Sequence, residues 1–295
     1  NYGKFDFIAG VRFDNYNLDP TADSTYLDYC STGSNSCPVV SLNTNNISPN
    51  VAITYKLNNQ IELWSKYARG FRAPTTKELF MEFIDFNHNI VGNSELDAEY
   101  SHAFNSSIVY TPYQKDTKYI QIDIQGSLQY LNNKIGLAQI ENTTGYTYFN
   151  ISNAKYYGLN TTIDSKVSKS SKIRLGWNVY KTELNESLDP TRFQNISFLY
   201  KYFNSQHKFS ANINLKYTPE ITSQRYQDNE LVSVKQEPFE SINLNFNKTF
   251  IKLNSTLSLG IKNLTNLKNI NSLGGGIHSS SESILSWGRT FFINL

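Results

Sequence analysis

Ile120-Gln121-Ile122-Asp123-Ile124-Gln125 places an apolar residue at every even position and a polar one at every odd position. Ser127, Leu128, Gln129 and Tyr130 carry the pattern on. Successive side chains of a β-strand point to opposite faces, so this segment has one greasy face and one wet face. Phe209, Ala211, Ile213, Leu215 and Tyr217 against Lys208, Ser210, Asn212, Asn214 and Lys216 read the same way. So do the opening run Phe5, Phe7, Ala9, Val11, Phe13 and the wet set Asn243, Asn245, Asn247. A β-sandwich produces such alternation too. Segment length and the distribution of loops decide between the two.

Period two predicts about twelve strands of roughly 10–16 residues. Short turns are expected near Leu57–Gln60, Tyr113–Thr117, Ser168–Ser171, Thr218–Glu220 and Ile251–Leu253. Long loops are expected near Leu18–Asn46, Thr75–Asp97, Asn132–Asn150, Asn185–Gln206 and Leu264–Glu282, with a shorter one near Asp228–Pro238. Alternating short and long connections imply antiparallel neighbours with one trimmed end and one elaborated end. Outer-membrane barrels are built this way, and a soluble sandwich has no reason to be. The predicted fold is therefore all-β: an antiparallel transmembrane β-barrel with short periplasmic turns and long extracellular loops. Tyr55, Tyr110, Tyr113, Tyr119, Tyr217 and Phe250 fall near the short turns and are expected to form an aromatic ring at the periplasmic interface.

Composition agrees. Aromatics make up 14% of the 295 residues, with 20 Tyr and 18 Phe, which suits side chains that are dry at one end and wet at the other. No run approaches the ~18 apolar residues of a membrane helix, but a barrel strand turns only alternate residues to lipid. A net charge of +2 without a Lys/Arg cluster argues against nucleic-acid binding. Gly-x-Ser-x-Gly, phosphate-loop and dinucleotide motifs are missing, so no enzymatic activity is expected. Gly274-Gly275-Gly276 reads as flexible linker. Sequons recur from Asn46 to Asn263, several of them mid-strand, where a glycan would meet lipid or fill the lumen.

Cys30 and Cys37 are the only cysteines, set in a polar stretch without a nearby His. They read as a disulfide in an oxidising compartment, closing a small ring and stabilising the loop by roughly 2–3 kcal/mol. The alternative is a pair of free thiols.

One segment is more specific. Trp64-Ser65-Lys66-Tyr67-Ala68-Arg69-Gly70-Phe71-Arg72-Ala73-Pro74-Thr75-Thr76-Lys77-Glu78-Leu79-Phe80 resembles a signature of TonB-dependent outer-membrane receptors, in which a strand climbs to the outer rim and ends in a Phe-Arg-Ala-Pro box. Haem and haemoglobin receptors of that family, including haemoglobin–haptoglobin receptors, add a second box, which Asn93-Ser94-Glu95-Leu96 resembles in altered form. Asp97-Ala98-Glu99 after it is similar to the family's Lys-Pro-Glu. Ile261-Lys262-Asn263-Leu264-Thr265-Asn266 and Trp287-Gly288-Arg289-Thr290-Phe291-Phe292 resemble its penultimate and terminal strand motifs.

The resemblance implies that residues 1–295 are the C-terminal part of a roughly 22-stranded barrel. The plug, the TonB-contacting segment and about half the barrel would then lie upstream. It implies energised uptake of haem from haemoglobin or a related host carrier across the bacterial outer membrane. Partners would be the TonB complex, the carrier and outer-membrane lipid, and haem would be cargo rather than cofactor. Ligand contact would fall on Phe71, Arg72, Ala73, Pro74, His88, Asn93 and Leu96.

His88 lies between the two boxes, where a neutral imidazole could be an exchangeable haem-iron ligand; otherwise it is an exposed loop His. Pro74 has no N–H and must end its strand. Arg72 either contacts ligand or pairs with a wall carboxylate such as Glu78 or Glu99 and holds the rim. Competing functions are a siderophore or transferrin-type receptor of the same class, a self-contained twelve-strand secretion or adhesin barrel, and a soluble sandwich.

Overall fold

In the computed structural model, residues 4–18, 42–84, 89–140, 143, 145–184, 190–227, 230–271, 282–284 and 287–295 are described. Cys30, Cys37, His88, His278 and Gly274–Gly276 lie outside them. The wall begins with β1 (Phe5–Leu18), β2 (Leu42–Lys56) and β3 (Ile61–Arg72), followed by a one-turn helix (Thr76–Phe80) and a small hairpin, β4 (Glu82–Ile84) and β5 (Asn89–Val91). It continues through β6 (Glu99–Lys115), β7 (Lys118–Gln139), β8 (Tyr146–Lys166), β9 (Ser171–Glu183), β10 (Thr191–Asn204) and β11 (Phe209–Thr218). After a second hairpin, β12 (Ile221–Gln227) and β13 (Glu230–Gln236), come β14 (Phe239–Phe250) and β15 (Ser255–Lys262). A third pair, β16 (Asn269–Asn271) and β17 (Glu282–Ile284), precedes the last strand, β18 (Thr290–Asn294).

Twelve of these form one continuous antiparallel path, β1-β2-β3-β6-β7-β8-β9-β10-β11-β14-β15-β18, each hydrogen-bonded to the next wall strand along the chain. The path matches the expected count. The three hairpins belong to the long connections, and β5 also joins β8 in parallel.

The short turns use residues suited to them. Asn58 accepts the Gln60 and Ile61 N–H groups, each at 2.8 Å, which closes the β2–β3 turn. Asp116 takes a left-handed φ of 52° between β6 and β7, and Asn254 one of 46° after the 3-10 turn Ile251–Leu253. Pro112 cannot donate to a ladder, and the β6–β7 register shifts between Tyr110 and Tyr113, around it.

Burial is inverted relative to a water-soluble protein. Ile108, Ile124 and Ile196 are 51%, 43% and 48% exposed, while Ser107 and Asp164 are 3% and 6% exposed on the opposite face. The apolar face continues across neighbours, as in Ile122 beside Tyr110 and Ile163, and Ile213 beside Leu244 and Tyr200. The other face is knit by polar contacts. Ser107 donates to Asp123, and Asp164 accepts from Tyr119 and Arg174. A wall that is greasy outside and wet inside fits hydrocarbon around a hydrated lumen.

Three expectations are corrected. Residues 185–206 are not mainly loop: Thr191–Asn204 is β10, ending in a short turn at Ser205–Lys208. With β10 in the wall and the segment after Glu220 outside it, the count is kept but β11 runs the other way, so Thr218–Glu220 leads into the β12–β13 hairpin at the elaborated end, and Tyr217 lies there rather than at the short-turn end. Tyr119 is near a short turn but points to the lumen to donate to Asp164, so it leaves the expected aromatic ring. Finally, β7 and β8 run to Gln139 and from Tyr146, replacing most of the loop expected at Asn132–Asn150 with paired strand.

The alternation sets a positional test in the intact protein. Ile124→Arg should lower barrel stability by about 2–4 kcal/mol through its lipid-facing charge, whereas Gln125→Arg, one residue along on the wet face, should leave it nearly unchanged. Heat-modifiable gel mobility of the two variants measures the difference.

Candidate functional site

β3 stops at Arg72 because the chain reaches Pro74, whose side chain is fully buried and whose nitrogen offers no proton to the ladder. Thr75 then caps the short helix. Its hydroxyl accepts from Glu78 N–H at 3.2 Å, and the Glu78 carboxylate accepts from Thr75 N–H at 2.8 Å, a reciprocal capping box. This folds Glu78 back over the strand end. Arg72 and Glu99 are register partners on β3 and β6, which places Glu99 on the other side of Arg72.

Arg72 joins the two acids. Its Nε and Nη2 donate to the two oxygens of Glu99 at 2.6 and 2.7 Å, and its Nη1 donates to Glu78 at 2.9 Å. All three guanidinium nitrogens are therefore engaged with carboxylates. Glu99 Oε1 also accepts the Ile135 N–H of β7 at 2.6 Å, so the cluster binds three consecutive wall strands and the helix together. The Glu78 carboxyl, outside the wall strands, sits below its usual range. Burial would raise it, but hydrogen bonds from Arg72 and from the Thr75 N–H and hydroxyl outweigh that effect.

The second box docks on the same helix. Asn93 N–H donates to Glu78 O at 2.8 Å, and the Asn93 side chain donates to Tyr148 O of β8 at 3.0 Å while accepting Glu95 N–H. Leu96, Leu79 and Ile135 form a buried apolar cluster flanked by Leu18, Phe80 and Tyr148. Gly92 permits this closeness, since a Cβ there would lie 2.7 Å from the Leu79 backbone. Phe71 faces the opposite way and packs on Tyr100, ring centroids 5.5 Å apart.

Of the expected site residues, the structure brings Arg72, Pro74, Asn93 and Leu96 into one rim assembly. Ala73 lies half-buried between Arg72 and Pro74, and Phe71 sits on the outer face. His88, like the Cys30–Cys37 pair, is outside the described residues. Sequence reasoning named Glu78 and Glu99 as partners but missed Ile135, Tyr148 and Asn150. Asn150 ties Asp97 to Asn133 by donating to both carbonyls, at 3.0 and 2.8 Å. The alternating Leu131, Ile135 and Leu137 was the available signal, broken by Asn132-Asn133-Lys134.

At the far end of the chain two motifs clasp each other. Asn263 and Asn266 take left-handed conformations, and Asn266 Oδ1 accepts Arg289 N–H at 2.9 Å. Arg289 Nε reaches Leu264 O at 2.9 Å, and Gly288 supplies a φ of 87° that launches β18.

These features define a β-barrel wall with a trimmed end, a hydrated inner face and a rim locked by an Arg–Glu clamp. The model of the family described as TonB dependent receptor-like, beta-barrel matches residues 1–264, and the chain belongs to that family. Its barrels lie in the outer membrane of Gram-negative bacteria, which places this chain there.

Among solved structures, the chain is similar to the copper transporter OprC (15% identity, TM-score 0.71, covering 99% of this chain and 45% of that one). It is also similar to the FrpB iron transporter from Neisseria meningitidis, F3-3 variant (12%, 0.66, 99% and 43%). A third is a mutant of the ferric enterobactin receptor PfeA from Pseudomonas aeruginosa (16%, 0.62, 84% and 40%). The chain spans less than half the length of these structures. No curated relative matches it.

Two outcomes test the clamp. Arg72→Lys loses the bidentate fork and should cost about 1–2 kcal/mol, at the low end for a charge pair because Arg72 is partly exposed. Faster hydrogen exchange at the Ile135 amide reads it out. A carboxyl lowered on folding gives stability that is present above its unfolded value and lost as pH falls through its folded value. Exchange protection of Thr75–Leu79, corrected for intrinsic rates, should therefore hold at neutral pH and decay below about pH 4.5.

Proposed function

We propose that this chain is the C-terminal wall of a TonB-dependent importer, and that its cargo is haem taken from haemoglobin or a related host iron carrier. The observation that carries the reading is the joining of the two boxes. Phe71–Pro74 and Asn93–Leu96 are fastened through Glu78, and they bracket the segment that contains His88. In this reading Arg72, Pro74, Asn93 and Leu96 hold the rim. The loop between the boxes, with His88 as an axial iron ligand, meets the cargo. The long loops capture the carrier, and TonB, driven from the inner membrane, moves a plug aside to admit haem.

The remaining strands and the plug are proposed to lie upstream. Support comes from the two sheet edges: among the described residues β1 and β18 each pair on one side only. Hydrocarbon leaves unpaired N–H and C=O groups unsatisfied, so each edge calls for a partner strand, a role that upstream strands would fill.

Siderophore uptake is the second reading, suggested by the ferric enterobactin receptor among the similar folds. The test uses the full receptor in a bacterium that cannot make haem. His88→Ala should weaken haem binding at least tenfold, seen in the Soret band on titration, and abolish growth on haemoglobin while ferric-siderophore growth persists. Unchanged haem growth, with siderophore uptake failing when the Phe71–Pro74 box is deleted, would replace haem by a siderophore.

A further inference from the structure

The lumen-facing side of the wall is uneven in charge. On β8, β9, β10, β11, β14 and β15 it carries Lys166, Lys172, Arg174, Lys201, Lys216 and Lys262 against a single acid, Asp164. On earlier strands charges face their opposites: Lys56 is the register partner of Glu62, and Arg72 of Glu99.

Three of the six cations form a row. Lys172 of β9 is opposite Lys166 of β8 on one side and Lys201 of β10 on the other. Directly opposed like charges destabilise a sheet, so nothing in the folding of the wall asks for this arrangement. Asp164 does not cancel it. Its carboxylate accepts Arg174 Nε at 2.8 Å and lies 3.1 Å from Lys172 Nζ, so one negative charge is shared by two cations. Lys166 and Lys201 form no ion pair with the described residues. The row lies at the trimmed end, where Lys166 closes β8 and Ser171-Lys172 opens β9 across a short turn. Arg174 and Lys216 stand one and two pairs farther along the strands toward the long-loop end.

We propose that this row is a site at the exit of the lumen for the anionic groups of the cargo. The inference rests on the importer reading, and with haem as cargo those groups are its two propionate carboxylates. The row spans two inter-strand spacings, about 10 Å, so two carboxylates on one edge of a flat macrocycle can meet separate ammonium groups. Residue type favours a passing occupant over a resident one. For a permanent carboxylate this chain uses the planar fork of Arg72 and adds a neutral donor. Lys is a hydrated point charge on a flexible stem, with three donors that can turn from one partner to the next. The Tyr119 ring, 5.8 Å from Lys172 Nζ, keeps the middle ammonium against the wall. Arg174 and Lys216 extend the positive potential up the lumen and draw an anion toward the row.

The test uses the intact protein in a bacterium that cannot make haem and compares the wild type with Lys166→Gln/Lys201→Gln. Haem binding in a Soret titration should stay unchanged, because the rim is untouched. The initial rate of labelled-haem uptake should fall about tenfold. Lys166→Arg/Lys201→Arg keeps the charge and should keep most of the rate. Haem dimethyl ester, whose carboxylates are masked, should enter the wild type and the Gln variant equally. Relief of like-charge opposition should hold or raise the heat-modifiable transition, which separates the result from a folding defect. Equal haem uptake by the wild type and the Gln variant, or an equal slowing for the ester, would overturn the inference. So would carbodiimide coupling of these lysines to an upstream carboxylate in cargo-free protein, which would give the row a resident partner. No haem uptake by the wild type would instead sink the haem reading, and the same comparison with an anionic ferric siderophore would then decide the site.

Discussion

In hydrocarbon no water is present to hydrogen-bond a peptide group, and every other feature of this wall follows from that constraint. Each N–H and C=O at membrane depth must pair with a neighbouring strand, which forces a continuous antiparallel ladder. The ladder in turn fixes side-chain direction with a period of two. Polar residues are then cheap at every second position. That is why a membrane wall can have a mean hydropathy of −0.45 and present Asn212, Asn214, Asn243 and Asn245 to its interior. Packing of an apolar core contributes little. Among the described residues the only buried apolar cluster is the small one at the rim.

At the rim the ladder stops and lipid no longer sorts the side chains, so order must come from specific contacts. Arg72 between Glu78 and Glu99 carries net negative charge, and two carboxylates close together repel. The structure offsets this with extra donors: Ile135 N–H on Glu99, and Thr75 N–H and hydroxyl on Glu78. Each acid thus has a neutral donor besides the shared guanidinium. A planar fork is what allows one cation to serve two acids from different elements. Registry is the outcome, because β3, β6, β7 and the helix cannot slide without breaking at least one of these bonds.

Legibility in the sequence tracks the same division. β7, β11 and β14 could be read directly, because their lipid-facing positions hold Ile and Leu opposite Gln, Asp and Asn. β10 was missed although its register is as regular. Its greasy positions are Ile196, Phe198, Tyr200 and Tyr202, its wet ones include Asn195, Ser197 and Lys201, and the polar stretch around Asn185 preceding it blurs the start. That one omission inverted the placement of Tyr217. The upper parts of β7 and β8 stand above the lipid, where nothing enforces alternation, so Asn132–Asn150 looked like loop. The Arg–Glu partnership was visible as residue types, Glu78 close to Arg72 in sequence and Glu99 just after the second box. The contribution of Ile135, 36 residues from Glu99, required the fold.

The wall and the rim also carry different information about function. Structures only 12–16% identical to this chain share its wall with TM-scores of 0.62–0.71, and they are a copper transporter, an iron transporter and a ferric enterobactin receptor. Lipid asks of each wall position only that it be apolar or polar, and many sequences satisfy that request. A surface under so loose a demand cannot encode which cargo passes. Under the proposed function, discrimination falls to the places where side chains are individually constrained, the rim clamp and the loops next to it. The clamp ties Asn93 and the strand end to a single helix and so fixes the distance between the two boxes; under the proposed function, that distance limits the size of what the segment between them can hold.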